Sequence, residues 1–128
     1  MKKILSIFIV AFLLNFIWEN AHSFLYTHYM GSRITEFILL RASVVDAIVI
    51  TLIALPFLYI AKLQDKSWLI IVAGILIAIC IEWYALGAGR WVYNASMPII
   101  PLLEVGLTPT IQLGLLGYFS YWLVMRKK

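Results

Sequence analysis

Trp83-Tyr-Ala-Leu-Gly-Ala-Gly-Arg-Trp-Val-Tyr-Asn-Ala-Ser-Met-Pro-Ile-Ile-Pro-Leu-Leu-Glu-Val-Gly-Leu-Thr-Pro109 begins inside one long apolar run and ends at the start of another. Between the runs it gathers Arg90, Trp91, Tyr93, Asn94, Pro98, Pro101 and Glu104. A connection so apolar and so rich in proline is poorly suited to full solvation. It is expected at a membrane interface or folded back against helices. The reading that follows is an all-α fold in one domain: an integral membrane bundle of four helices over about 4–26, 34–61, 67–93 and 108–125, with this stretch as its outer loop.

Composition supports that reading. The 128 residues are 64% hydrophobic and 12% charged, where a soluble domain is roughly 45–50% apolar and about 25% charged. The first segment, Ile4 to Tyr26, exceeds the ~20 residues needed to cross ~30 Å of hydrocarbon. A cleaved leader ending at Ala21-His22-Ser23 competes with it, but Asn15, Trp18, Glu19 and Asn20 make a bulky polar approach to such a site. Pro56 should kink the second segment or be absorbed by a neighbour. The lone Cys80, inside an apolar run, excludes a disulfide framework and is expected to pack as a small buried residue.

Net charge is +4, yet the basic residues sit at the ends of apolar runs, which fits lipid topology rather than nucleic acid. Four spans place Lys2, Lys3, Lys62, Lys66, Arg126, Lys127 and Lys128 on one side, with both termini, and that side should be cytoplasmic. Glu19, Glu36, Asp46, Glu82 and Glu104 fall in the other half, with Arg33, Arg41 and Arg90, and only Asp65 stays with the lysines. One half of the bundle is therefore plain and the other carries chemistry.

Asn15, Glu19 and His22 follow i, i+4, i+7 spacing and share a helix face. That face turns inward, because an intramembrane carboxylate costs about 2.5–3.5 kcal/mol or more without a partner. Asn15 reads as interhelical glue and His22, near the surface, as an interfacial histidine. Glu82 lies at similar depth on the third segment and Asp46 somewhat deeper on the second, so three helices deliver acids to the middle and outer depth of the bundle. Two acids brought together in an apolar surrounding share a proton, and one can then act as acid and the other as base. The candidate catalytic residues are Glu19, Asp46, Glu82 and Glu104. Asn15, His22, Arg41, Arg90, Trp91, Tyr93 and Gln112 are candidates for binding substrate. Ion pairing of the acids with Arg41 or Arg90 is the competing account. A metal held by Glu19, His22, Glu82 and a further carboxylate is another, although no HExxH spacing supports it, and no cofactor is expected. Gly87 and Gly89 permit close backbone approach beside Arg90, which with Trp91 and Tyr93 could hold a lipid phosphate or simply anchor the interface. Gly114 and Gly117 read as helix-packing positions.

Asn15-Phe-Ile-Trp-Glu19, Glu82-Trp-Tyr84, Arg90-Trp-Val-Tyr93, Met97-Pro98 and Gly106-Leu-Thr-Pro109 with Gln112 resemble a family of small bacterial inner-membrane proteins of four helices. Glu82, Trp91-Val-Tyr-Asn94 and Pro101-Leu-Leu-Glu104 are similar to part of the lycopene cyclase domain of carotenoid synthesis. Here the spacing is Pro-x-x-Glu, and Val105 stands where that family has a second acid. This second resemblance implies acid–base chemistry on an isoprenoid, with Glu82 and Glu104 as the acids, in a dry pocket walled by aromatics. The leading expectation is thus an enzyme of the bacterial inner membrane acting on a membrane lipid or isoprenoid, with a second copy of the chain, as a homo-oligomer, among its expected partners. A lipid-binding or assembly protein and a small proton-coupled carrier are the alternatives.

Overall fold

A computed structural model of the chain describes residues 2–29 and 33–126. Its long helices are α1 (Lys2–His22), α2 (Glu36–Tyr59), α4 (Leu69–Gly87) and α5 (Leu107–Met125); α3 (Ala61–Gln64) is one short turn. Three stretches, Lys2–Leu25, Glu36–Tyr59 and Leu69–Gly87, are long and apolar enough to cross a membrane. The α5 helix carries Thr108, Thr110, Gln112 and Ser120 and buries much of its length against the others.

The buried faces carry small and polar residues among a few large apolar ones, and many large aliphatics point outward. Helix α1 buries Ile7, Ala11, Asn15, Glu19 and His22; α2 buries Leu39, Ser43, Ala47, Ile50, Ala54 and Phe57; α4 buries Ile70, Gly74, Ala78, Glu82 and Ala85. Leu13, Ile17, Leu52 and Leu76 are each more than half exposed. Water would penalise that surface, whereas lipid tails accept it, and small residues let backbones approach where no hydrophobic force joins the helices. Ser43, Thr51 and Ser120 donate to carbonyls four residues back, so these hydroxyls are satisfied within their own helices. Cys80, expected in the interior, lies on the outward face of α4.

Helix α4 lies along α5, α1 along α2, and both α1 and α2 touch α5. The closest approach is between α4 and α5. A Cβ on Gly74 would fall 2.3 Å from Gly114 Cα, and one on Gly114 would fall 2.5 Å from the Ile71 carbonyl oxygen. Helices α2 and α4 meet only sparsely, which leaves a cleft between them. Pro56 is absorbed without ending α2, which stops three residues later at Tyr59.

At the end opposite the N-terminus the chain leaves helical geometry. Helix α1 gives way to a 3-10 turn (Ser23–Leu25) and strand β1 (Tyr26–Tyr29), which pairs antiparallel with β2 (Trp91–Tyr93). The helices expected over 4–26 and 67–93 thus finish at His22 and Gly87. The cause at the second is Gly89, whose φ is 71°. The Gly89 N–H bonds the Leu86 carbonyl at 3.2 Å and the Arg90 N–H bonds the Ala85 carbonyl at 2.8 Å, a Schellman stop. The alternating aromatic and β-branched residues Trp91-Val-Tyr93 then extend naturally. Asn94 continues the zipper, its N–H on the Leu25 carbonyl at 2.8 Å and its side chain on the Phe24 carbonyl.

The connection to α5 is a small hairpin, β3 (Ile99–Ile100) with β4 (Val105–Gly106). Its turn places Leu102 and Glu104 at φ of 72° and 60°, and Leu102 is 97% exposed. Met97 is buried beneath it against Gly106, where an added Cβ would lie 2.8 Å from the sulfur. Of the basic residues at the terminal end, Lys127 and Lys128 lie outside the described residues.

Candidate functional site

Gln112, on the second turn of α5, is the centre of a polar network inside the helices. Its Nε2 lies 2.8 Å from Asn15 Oδ1, 2.8 Å from Glu19 Oε2 and 2.9 Å from Asp46 Oδ2. An amide nitrogen carries two hydrogens, so three acceptors share them and one hydrogen is bifurcated. The consequence is geometric: one donor holds the carboxyls of Glu19, on α1, and Asp46, on α2, side by side. Asn15 fixes its own orientation by donating to the Ala11 carbonyl at 2.7 Å. Asn15, Glu19, Glu82 and Gln112 are each no more than 4% exposed.

A second arm reaches toward the strand end. His22 Nε2 lies 3.3 Å from Glu19 Oε1, and its Nδ1 lies 2.9 Å from Thr108 Oγ1. The Thr108 hydroxyl has Met97 Sδ at 3.5 Å. When Thr108 donates to that sulfur, Nδ1–H donates to Thr108, and a proton on Nε2 or on Glu19 completes the link. His22 is therefore buried and tied into the network, not solvated at the interface as its position in the sequence suggests.

Glu82 forms the other wall. Its Oε1 accepts from the Tyr93 hydroxyl and, at 3.1 Å, from Trp91 Nε1. The Tyr93 oxygen in turn accepts the Gly106 N–H at 2.9 Å. Burial, and then the hydrogen bond to Glu82, hold the Tyr93 hydroxyl above its ordinary ionisation range, so it remains a donor. Tyr26 packs edge-on against His22, Trp91 and Tyr93, and of these rings Tyr26 and Trp91 roof the site.

These groups enclose a cavity of about 360 Å³. Glu19, Asp46, Glu82 and Gln112 provide its polar lining, Val45, Ala78, Ile81 and Leu113 its apolar walls, and Arg41 and Arg90 line it from α2 and from the end of α4. It lies in the cleft between α2 and α4, where the lining residues Val45 and Tyr84 are also exposed. The arrangement is an acid-bearing pocket with a roof, a floor and a lateral opening. Two carboxyls beside one amide can exchange a proton with a bound molecule, and a third carboxyl held by two donors can take one up.

Most candidates from the sequence meet here: Asn15, Glu19, His22, Asp46, Glu82 and Gln112 in the network, Trp91 and Tyr93 on Glu82, Arg41 and Arg90 along the cavity. Glu104 does not. It sits on the exposed hairpin turn, with its N–H on the Ile100 carbonyl at 3.0 Å, and lines no part of the pocket. The stretch 94–107, the expected outer loop, contributes no residue to the cavity lining. It packs beside the site, held by Trp83 Nε1 on the Leu103 carbonyl at 2.8 Å. The roof comes from Tyr26 of β1 and Trp91 of β2, because the Gly89 stop turns β2 back toward Glu82, which Trp91 and Tyr93 both bond. Asp46 is bound to Gln112, and Arg41, five residues earlier on α2, lines the same cavity. Among the described residues no three His, Cys, Asp or Glu side chains gather as a metal set. Sequence reasoning passed over Thr108 and Tyr26. A threonine at a helix start and a tyrosine at a helix end carry no signal of partners 86 residues away in the chain, as Thr108 is from His22.

No protein-family model, no curated protein and no solved structure matches the chain.

Proposed function

We propose that this is a four-helix protein of the bacterial inner membrane, with both termini cytoplasmic, that performs acid–base chemistry on a membrane lipid or isoprenoid. The observation that carries this reading is the cavity between α2 and α4, where Glu19 and Asp46 share one amide donor, Glu82 faces them, and the opening is lateral. Helix α5 completes the bundle: 19 residues at about 1.5 Å each nearly match a ~30 Å hydrocarbon core. Its polar side chains point to the other helices, so its lower apolarity is no obstacle to spanning. Lys2, Lys3, Lys62, Lys66 and Arg126 collect at one end, as cytoplasmic loops do.

In the cleft a hydrocarbon substrate meets apolar walls and an acid pair shielded from water. The protonated member of Glu19 and Asp46 adds a proton to a double bond or carbonyl. Glu82, steadied by Tyr93 and Trp91, removes one from a neighbouring carbon. The proton count is unchanged, so the reaction class is isomerisation or cyclisation. Return of the proton from Glu82 to the Glu19–Asp46 pair restores the acid and closes the cycle without net proton change.

The test compares lipid extracts from membranes containing the wild type, Asp46→Asn and Glu82→Gln, analysed by mass spectrometry with double-bond mapping. Gln keeps the oxygen to which Tyr93 and Trp91 donate, so Glu82→Gln should fold. A lipid isomer present with the wild type and absent with both folded variants is the expected result. Identical lipid profiles in all three would overturn the reading. A second reading, lipid binding without chemistry, is favoured by the completeness of the network, since each acid already has a protein donor. It predicts that both variants lose stability and that no lipid changes.

A further inference from the structure

We propose that the mouth of this cavity is a headgroup subsite for a phosphate-class anion carried on a single-chain amphiphile, with Arg41 and Arg90 as its two cations. The inference rests on the lipid reading above and narrows it to a substrate class. Arg41, early on α2, and Arg90, just beyond the Schellman stop of α4, line the same cavity from two elements. Arg41 is exposed and Arg90 half-buried, whereas Glu19 and Glu82 are buried and Asp46 is half-buried. Charge therefore changes sign along the pocket, from cations at the rim to acids at the floor. An anionic head is attracted to the rim and repelled from the floor, so this gradient fixes which end of an amphiphile enters first.

The two cations are arginines. A guanidinium presents a planar fork of donors that matches phosphate oxygens two at a time. Trp91 continues from Arg90 into the roof, where an amphipathic ring sits well beside a headgroup. Depth gives a second constraint. Five residues separate Arg41 from Asp46, or about 7.5 Å of helix axis. The atom offered to Asp46 thus lies several bonds below the phosphate, within the first part of the chain. Volume gives a third. At about 360 Å³ the cavity is near the lower limit for small-molecule sites. It accommodates a head and the start of one chain, and the remainder must leave through the cleft past Val45 and Tyr84 into lipid.

The full-length protein in neutral detergent is titrated calorimetrically with hexadecyl phosphate, hexadecanol and inorganic phosphate. Hexadecyl phosphate is expected to bind one to one, at least tenfold tighter than hexadecanol, with inorganic phosphate weaker than both. Arg41→Gln and Arg90→Gln should each cost hexadecyl phosphate about tenfold or more, since a hydrogen bond between charged groups contributes about that much, and should leave hexadecanol unchanged. Equal affinity for the phosphate and the alcohol, or no change in either arginine variant, would overturn the headgroup subsite and leave the lipid reading standing. Failure of both amphiphiles to bind would sink the lipid reading as well. Inorganic phosphate binding as tightly as hexadecyl phosphate would make the site one for a free anion and overturn the amphiphile. Should an arginine variant fail to fold, the comparison of phosphate with alcohol on the wild type decides alone.

Discussion

Gln112 spends one amide group on three acceptors from two other helices, and nothing else among the described residues does comparable work. Leu at this position keeps similar bulk but leaves Asn15, Glu19 and Asp46 without their shared donor. Gln112→Leu should therefore lower unfolding free energy by about 2–3 kcal/mol, the cost of stranding buried acceptors, as read from denaturant titration in detergent. Tyr93 stands between the Gly106 N–H and Glu82, and its raised ionisation has a sign that can be checked. Stability from such a group is fully present below its unfolded value near 10 and is lost as pH rises above it. Wild-type melting temperature should fall above about pH 10, and Tyr93→Phe should start lower but decline less steeply there. The acids of this site stand out on the chain because charge is scarce and their positions agree in depth. Their partners do not stand out. Helical spacing predicts that Asn15, Glu19 and His22 share a face, but it is silent on Gln112 meeting that face and on Thr108 closing the link to His22.

Among the elements, the α4–α5 contact is the tightest. Gly114→Ala would set a methyl 2.5 Å from a backbone oxygen that cannot rotate away. The helices must separate, at an expected cost of about 1–3 kcal/mol, while Gly87→Ala, with open space around its Cβ, should change little; thermal melts of both variants give the comparison. Helix ends were less legible than helix existence. Apolarity runs past Gly87 into Trp91-Val-Tyr93, and a reading by hydropathy carries the helix with it. The stop is encoded locally, in a glycine able to take positive φ, and a helix-end reading of Gly89 would have found it. The start of β1 has no such mark. Tyr26–Tyr29 becomes a strand because β2 lies there to pair with it, which is a nonlocal fact.

At the scale of the whole molecule, size and polarity are distributed unlike those of a soluble domain: alanine, glycine, serine, Glu19 and Glu82 are buried alongside Ile7, Ile50 and Ile70, while many leucines and isoleucines face outward. A reporter fused after Lys128 should accordingly be active only in the cytoplasm; a periplasmic signal would require an odd number of spans. Composition, the lengths of the apolar runs and the placement of lysines are sums over the chain, and the sequence by itself determined from them that long apolar helices build this protein and that its acids, Asp65 apart, lie toward one end. Which acids meet was decided only by tertiary structure. Glu104 has the same chemistry as Glu82 and stands near it in the chain, yet a tight turn with two positive φ angles turns it outward. Asp46 and Glu19 lie on separate segments and become neighbours because Gln112 reaches both from a third. Hydropathy and periodicity carry no term for the angle at which one helix rests on another, and that angle sets whether three carboxyls line one cavity.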